Sequence, residues 1–542
     1  MADPVAQLAE AVADTAASLR GGGSIGVPVL ERPKQAGFGD YSTNAAMLLA
    51  PAMGASPREI AQRLGLALEE RLGGAVGSVE VAGPGFLNLT MSDAWCCEAV
   101  AGILGAGAAY GSGAAAGGER VNVEFVSANP TGPITVAAGR HAAYGDSLCR
   151  ILDFAGNEVD REYYVNDQGG QIKRFAASIR ARARGQEPPE DGYQGLYVAE
   201  IADGIAGAAD LEEDELARRG VDAMLAGVRA TLERFRVRMD RFSREGESHE
   251  GGAVRRVLDR LEEREHVYPH EGAVWLRTTT FGDDKDRVLM RSTGELTYFA
   301  ADIAYHEHKR ARSYGRVIDV LGADHHGYVA RLQAAWQALG GAPDSFEVII
   351  MQLVNLLESG QRAQMSKRGG EFVALDDLID DIGVDATRWF LLQRSHDTAL
   401  DLDLELARRQ SQDNPVFYAQ YAHARIASIL RRAGDERVSG ALRADIAASD
   451  EQLHSSARDL VKRLLELPEE VADASERRAP HRMTTYVTET AQSFSAFYRD
   501  CKVVGAAEEG GDEDLRLALS EATRRVIARS LDLLGVDAPK EM

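Results

Sequence analysis

Apolar residues recur every three or four positions along residues 5–19 and 60–72, which predicts amphipathic helices, and residues 79–89 read as a strand. These belong to a first unit that ends near residue 110, where a glycine- and alanine-rich stretch, residues 105–118, reads as a linker. An alternation suited to a parallel sheet follows: a strand at 121–126, a loop, a helix over about 140–155 and a strand near 159–165. A second alternation runs from a strand at 317–321 through a helix at 328–339 to a strand at 347–353, then a glycine-rich loop before Ala374. Two such halves, separated by a charged and mostly helical insertion over about 169–264, predict a split, Rossmann-type nucleotide-binding fold. Beyond about Asp401 no strand pattern remains. Leu453, Ala457, Leu460, Leu464 and Leu467 keep one helical stripe and Leu515, Leu519, Ala522 and Val526 another, with Gly535 placed to end the last helix. The expectation is an α/β chain in three units: an amino-terminal α/β unit at 1–110, a catalytic unit at 119–400 and a helical bundle at 401–542.

The length of 542 residues agrees with about three or four folded units. The first residues, MADPVAQLAEAVADTAA, are acidic and amphipathic, unlike a signal peptide, and no stretch approaches the roughly 20 apolar residues of a membrane span. A soluble, cytoplasmic chain is expected. Cys96, Cys97, Cys149 and Cys501 have neither the number nor the spacing of a zinc site or a disulfide framework, and read as buried or half-buried thiols. The net charge of −23 argues against a polyanionic partner for the body as a whole. Any nucleic-acid surface must therefore be a local patch among the 61 basic residues, of which eight are lysine.

Two loops carry the candidate chemistry. SANPTGPITVAAGR, residues 127–140, lies between a strand and a helix, where backbone amides at the helix start meet phosphate. QMSKRGG, residues 364–370, follows a strand and offers Lys367 and Arg368 to the charge of a phosphoryl or adenylyl transfer. Alone, the first reads equally as a proline-bent connector, and the second reads more often as a solvated surface loop. No Walker loop occurs, and the short GPG at 83–85 lacks the helix that a dinucleotide fingerprint needs. The pair His325 and His326 has no Cys or Glu partner at metal spacing, so no protein-bound metal is expected.

Together the two loops resemble the signature loops of class I aminoacyl-tRNA synthetases. Longer segments narrow the resemblance to arginyl-tRNA synthetase: VEFVSANPTGP (123–133), YYVNDQG (163–169), DRVLMRSTGELTYFAAD (286–302), GADHHGY (322–328) and NPVFYAQYAHARI (414–426). FGDYSTNAAM (38–47) and GPGFLNL (83–89) resemble the amino-terminal tRNA-binding domain of that family.

The resemblance implies an enzyme that activates arginine with Mg²⁺-ATP and esterifies it to tRNA(Arg), with tRNA bound before activation. It also implies a monomer with no obligate protein partner and an anticodon-binding helical bundle. By the same resemblance Glu245, Tyr298 and Asp302 hold the guanidinium, whose fixed planar charge requires carboxylates, and Glu124 and Asn129 hold the α-amino group. ATP falls to Ala128, Asn129, Pro130, Thr131, Gly132, Pro133, Ala138, Gly139, Asp324, His325, His326, Met365 and Lys367, with Ser366 and Lys367 in the catalytic loop. Phe38, Tyr41 and Asn44, and in the bundle Tyr418, Tyr421, His423, Arg425 and Met542, are the expected tRNA contacts, the aromatic and basic ones suited to stacking on unpaired bases.

The chain departs from the family pattern at the first loop. Thr135, Val136, Ala137 and Ala138 stand where the family has His-x-Gly-His, so both phosphate-binding imidazoles are missing. Thr135 offers a hydroxyl in the first position, and His141, three residues beyond the second, shares its helix face. Gln364 replaces a lysine in the second loop, whereas Lys367 is retained. A non-catalytic tRNA-binding relative and a class I synthetase for another amino acid are the alternatives; the arginine pocket and Lys367 speak against the first, and Glu245 together with Asp302 against the second.

Overall fold

The structure is a computed structural model that describes residues 3–21, 26, 28–33, 37–113, 118–246, 252–362 and 373–542. In the first unit a four-stranded antiparallel sheet, in the order β1-β2-β4-β3, is built from β1 (Leu30–Glu31), β2 (Tyr41–Thr43), β3 (Val76–Ala82) and β4 (Phe86–Met91). The expected strand at 79–89 is thus a hairpin. Gly83 and Gly85 both take positive φ, and Gly85 packs so closely on Pro57 that a Cβ there would stand 2.7 Å from that ring. Helices Pro4–Arg20 and Pro57–Leu72 cover the predicted amphipathic stretches, the second opened by a capping box between Ser56 and Glu59.

The expected linker is only partly one. Helix Asp93–Ala106 runs into it, and Tyr110 is buried with its hydroxyl donating to the carbonyl of Leu464 at 2.9 Å. The first unit docks on the helical bundle through charge as well: Asp40 accepts from Arg458 at 2.9 Å and lies 3.2 Å from the Lys462 ammonium.

The central sheet has five parallel strands in the order β12-β11-β5-β6-β7, made of β5 (Arg120–Glu124), β6 (Glu158–Val165), β7 (Arg241–Arg244), β11 (Arg316–Gly322) and β12 (Phe346–Met351). Strand order reverses at β5, between β11 and β6, which opens a crevice at the carboxyl ends of the strands. The insertion is helical at Gly170–Ala183, Leu196–Gly204 and Glu213–Arg234, but it also contributes β7. A small antiparallel sheet, β8 (Val267–His270), β9 (Ala273–Leu276) and β10 (Arg287–Met290), leads into helix Tyr298–Ala311. Neither β7 nor this sheet was expected.

After β12 the chain forms β13 (Val354–Glu358) and β14 (Gln361–Arg362), and β15 (Leu400–Asp403) pairs with β13 in parallel just where strand patterns were expected to stop. From Pro415 onward the described residues are helices and short turns. The stripe from Leu453 to Leu467 is split between helices Ser455–Leu464 and Leu467–Glu476, and Gly535 ends helix Glu513–Leu534 in the left-handed conformation. All four cysteines are buried free thiols. No helix among the described residues is long and apolar enough to cross a membrane.

Candidate active site

At the switch point lies a cavity of about 570 Å³ whose walls include Glu124, Asn129, His141, Tyr164, Asp302 and Tyr328. It opens from an unusual piece of backbone. Val126 and Ser127 follow β5 with φ of 70° and 39°, and Ser127 N donates to the carbonyl of Phe125 at 3.0 Å, a tight three-residue turn. A β-branched residue in this region is strained, and such strain persists where the surroundings over-determine it. Here the turn brings Ser127 Oγ to Glu124 Oε1 at 2.9 Å, and Tyr163 holds the Ala128 carbonyl at 2.8 Å.

Helix Val136–Phe154 starts from Thr135, whose hydroxyl accepts from Ala138 N at 3.2 Å. That threonine is therefore occupied as a cap. Backbone bonds join this start to the chain that leaves the second signature segment: Thr135 bridges Ala374, Val136 N donates to Val373, and Leu375 N donates to Ile134 at 2.7 Å. Gly139 fits because Leu375 would stand 2.7 Å from any Cβ there. Arg140, fully buried, donates to the carbonyls of Gln352, Ser395 and Thr398 at 2.8, 2.9 and 3.0 Å, tying the same helix to the chain on both sides of the second segment, just before β13 and just before β15. Met365, Ser366 and Lys367 lie outside the described residues.

His141 lines the cavity one turn beyond Ala138, and burial together with the neighbouring Arg140 pushes its imidazole down to about 4, so it is neutral at physiological pH. Asp324 and His325 line the cavity with exposed side chains, and His326 is exposed beside them. Ala128 and Asn129 belong to the wall, and the carbonyl of buried Thr131 accepts from Tyr197 at 2.8 Å. Pro130 is buried, whereas Gly132 and Pro133 are half-buried.

The acidic residues converge on Tyr164. Burial raises its phenol well above the ordinary range, and the charges of Glu245, Asp302, Glu124 and Asp167 all add to the rise, so four carboxylates act on one half-buried hydroxyl. Glu245 itself is buried at the end of β7. Asp302 is raised by burial, an effect opposed by a 2.6 Å hydrogen bond from Tyr328. Tyr298 is 77% exposed, with its hydroxyl so near Gly169 that a Cβ there would stand 3.6 Å away.

Beneath the cavity runs a buried network. Lys309 Nζ lies 2.5 Å from Glu124 and 2.6 Å from Asp319, and Tyr305 donates to Glu124 at 2.8 Å. His306 donates to Asp319 at 2.9 Å and to the Asp302 carbonyl at 2.7 Å, so both ring nitrogens meet acceptors and the imidazolium is favoured. Burial pushes the Asp319 carboxyl up, but Lys309 and His306 more than reverse this and bring it down to about 2. Glu124 is thus spoken for on both oxygens before any ligand arrives.

Among known proteins, the amino-terminal arginyl-tRNA synthetase domain matches residues 6–91, the class I (R) catalytic domain residues 205–427 and the DALR anticodon-binding domain residues 419–542. An arginine–tRNA ligase of Frankia alni is 48% identical over 99% of this chain and 98% of its own. The chain belongs to the arginyl-tRNA synthetase family. Membership makes it a ligase, and a class I synthetase uses ATP. An arginine–tRNA ligase of Bacillus licheniformis is 44% identical over 95% of this chain and 94% of its own. The solved structure of a putative arginyl-tRNA synthetase of Campylobacter jejuni has a TM-score of 0.76 at 33% identity, over 83% of this chain and all of that one. The Thermus thermophilus arginyl-tRNA synthetase, at 24% identity and a TM-score of 0.76 over 99% of each chain, shares the fold.

The expected tRNA contacts divide in this synthetase. Phe38 is 43% exposed, but Tyr41 is buried edge-on against Trp95, and Asn44 accepts from Val29 N at 3.0 Å. In the bundle Tyr421 is exposed and stacks on Phe417, Arg425 lies over Tyr498, and Met542 is exposed. Tyr418 is half-buried against Ser495, and His423 is buried with its ring held 2.7 Å from the Pro539 carbonyl, so it shapes the carboxyl-terminal tail instead of facing solvent. Tyr164, Tyr305, Lys309 and Tyr328 are the site residues that sequence reasoning missed. Tyr305, His306 and Lys309 follow Asp302 at helical spacing, a signal already present in the sequence.

Proposed function

We propose that this ligase divides its two-step reaction among the residues just described. The arginine carboxylate attacks the α-phosphate of ATP to give arginyl-adenylate and pyrophosphate, and a ribose hydroxyl at the tRNA 3′ end then attacks the carbonyl and releases AMP. Glu245 and Asp302 take the guanidinium with Tyr298, while Asn129 and the Glu124 carboxylate face the α-amino group. The observation that carries this reading is that Glu124 and Asp302 share the cavity wall with half-buried Tyr164, on which the charges of Glu245 and Asp167 also act, since a permanently charged plane needs carboxylates of fixed geometry.

Phosphate contacts fall to the amides at the start of helix Val136–Phe154, to Lys367 with Met365 and Ser366 in the second segment, and to His141. Adenosine lies against Ala128, Asn129, Gly139 and the turn of Asp324, His325 and His326. Magnesium enters with the nucleotide, held mostly by phosphates. Positioning and cations suffice, because no protein nucleophile is needed. Phe38 and Asn44 on the first unit, and Tyr421, Arg425, Tyr418 and Met542 on the bundle, meet the tRNA, with Tyr41 and His423 supporting those surfaces from within. The enzyme works in the cytoplasm as a monomer.

A pyrophosphate-exchange assay with purified protein, ATP, tRNA and each amino acid tests the reading. Exchange with arginine alone is expected. Tight tRNA binding without exchange would overturn the catalytic assignments and favour a binding relative.

A further inference from the structure

Tyr328 ends the GADHHGY turn and lines the cavity beside Asp302, and its hydroxyl donates to Asp302 Oδ2 at 2.6 Å. The ring is held from two sides. Phe299 meets it edge-on at 6.2 Å, and the guanidinium carbon of Arg331, one turn into the following helix, lies 4.4 Å from its centre. An aromatic ring fixed in this way delivers its hydroxyl to one place, and a carboxylate that accepts it at one oxygen no longer rotates freely.

We propose that Tyr328 is a positioning residue for amino-acid recognition: it locks the plane of the Asp302 carboxylate so that a planar guanidinium finds its acceptor already aligned. This deepens the reading above and rests on Asp302 contacting the guanidinium. Bidentate recognition gains from a carboxylate of fixed plane, because rotational freedom surrendered in the free enzyme is not surrendered again on binding. An ammonium, as a point charge, gains less from such a plane. The groups that face Asp302 are Tyr328 and Arg331 from the following segment, His325 from the turn, His306 from its own helix and Tyr164 from β6. Of these Tyr328 donates directly to the carboxylate, and it thereby favours the charged form that arginine requires.

The test compares wild type, Tyr328→Phe and Asp302→Asn as full-length enzymes with tRNA and ATP, with arginine varied from pH 5.5 to 8. The phenylalanine keeps the ring, its packing on Phe299 and Arg331, and removes only the hydroxyl. Expected for Tyr328→Phe is a rise of about tenfold in the KM for arginine, with kcat and the KM for ATP within about twofold of wild type, the size of one charge-assisted hydrogen bond. The acid limb of kcat/KM moves to higher pH, which a merely structural role would not cause. If Tyr328→Phe keeps the wild-type KM and acid limb while Asp302→Asn loses arginine affinity, the inference on Tyr328 is wrong and the arginine pocket stands. If Asp302→Asn binds arginine like wild type, the underlying pocket assignment fails, and this inference with it.

Discussion

The ammonium of Lys309 sits 2.6 Å from the carboxylate of Asp319, both side chains shut away from solvent, and the same ammonium reaches Glu124 at the cavity wall. This buried cation therefore serves two buried anions at once, with His306 adding to it at Asp319. Replacing Lys309 by Met is expected to cost roughly 3–5 kcal/mol, because it leaves uncompensated charge in a low-dielectric setting. The measurement is the urea or thermal midpoint of the full chain; a midpoint equal to wild type would show that the carboxylates find other compensation.

His306 makes the same network sensitive to pH. Burial works against its charge, but the hydrogen bond to Asp319 prevails and raises its pKa above the ordinary value of 6.5. Its contribution to stability is thus complete below about pH 6.5 and declines as pH rises through the raised value. Wild type is expected to lose stability between pH 6 and 9 more steeply than His306→Gln, which urea titrations of both at the two pH values will read. Equal slopes would mean that His306 stays neutral in the fold.

His141→Ala tests what replaces the missing signature histidines. Loss of a neutral donor in the cavity is expected to lower the rate of adenylate formation by roughly tenfold to a hundredfold. Because its pKa is pushed down to about 4, no inflection from this ring is expected in rate profiles above about pH 5. Single-turnover formation of adenylate at the wild-type rate would remove His141 from the chemistry.

Gly145 lies where helix Val136–Phe154 crosses β5, and a Cβ there would stand 2.2 Å from the Phe125 ring. Gly145→Ala is expected to cost about 1–3 kcal/mol or more through overpacking. Adding Phe125→Leu restores part of the loss, read as the thermal midpoint of single and double variants; additive losses would show that the two sites do not press on each other.

The legible parts of this protein were those with a period or a motif. Four of the five parallel strands, the helices of the bundle and the cavity wall that holds Glu124, Asn129 and Asp302 lie where such signals fall. The hairpin at residues 76–91 was hidden because β3 and β4 are separated only by a Gly-Pro-Gly turn that apolar counting runs across. β7, of sequence RFSR, has hardly an apolar residue to reveal it, since it closes the sheet edge beside a charged insertion. The turn at Val126 is invisible to propensity: a β-branched residue with φ of 70° is imposed by the fold around it. Tyr41 and His423 show the limit of reading motif residues as contacts, because a side chain named by a family pattern serves equally well by holding a surface from behind.

The seam between Ile134–Val136 and Val373–Leu375 is stitched by amide and carbonyl groups, which every residue type supplies alike. The start of helix Val136–Phe154 therefore stays paired with residues 373–375 through groups that do not depend on the side chains at positions 136 to 138. A lineage is free to exchange histidine for threonine or alanine there without dislocating the scaffold, and the search for lost donors belongs further along the same helix.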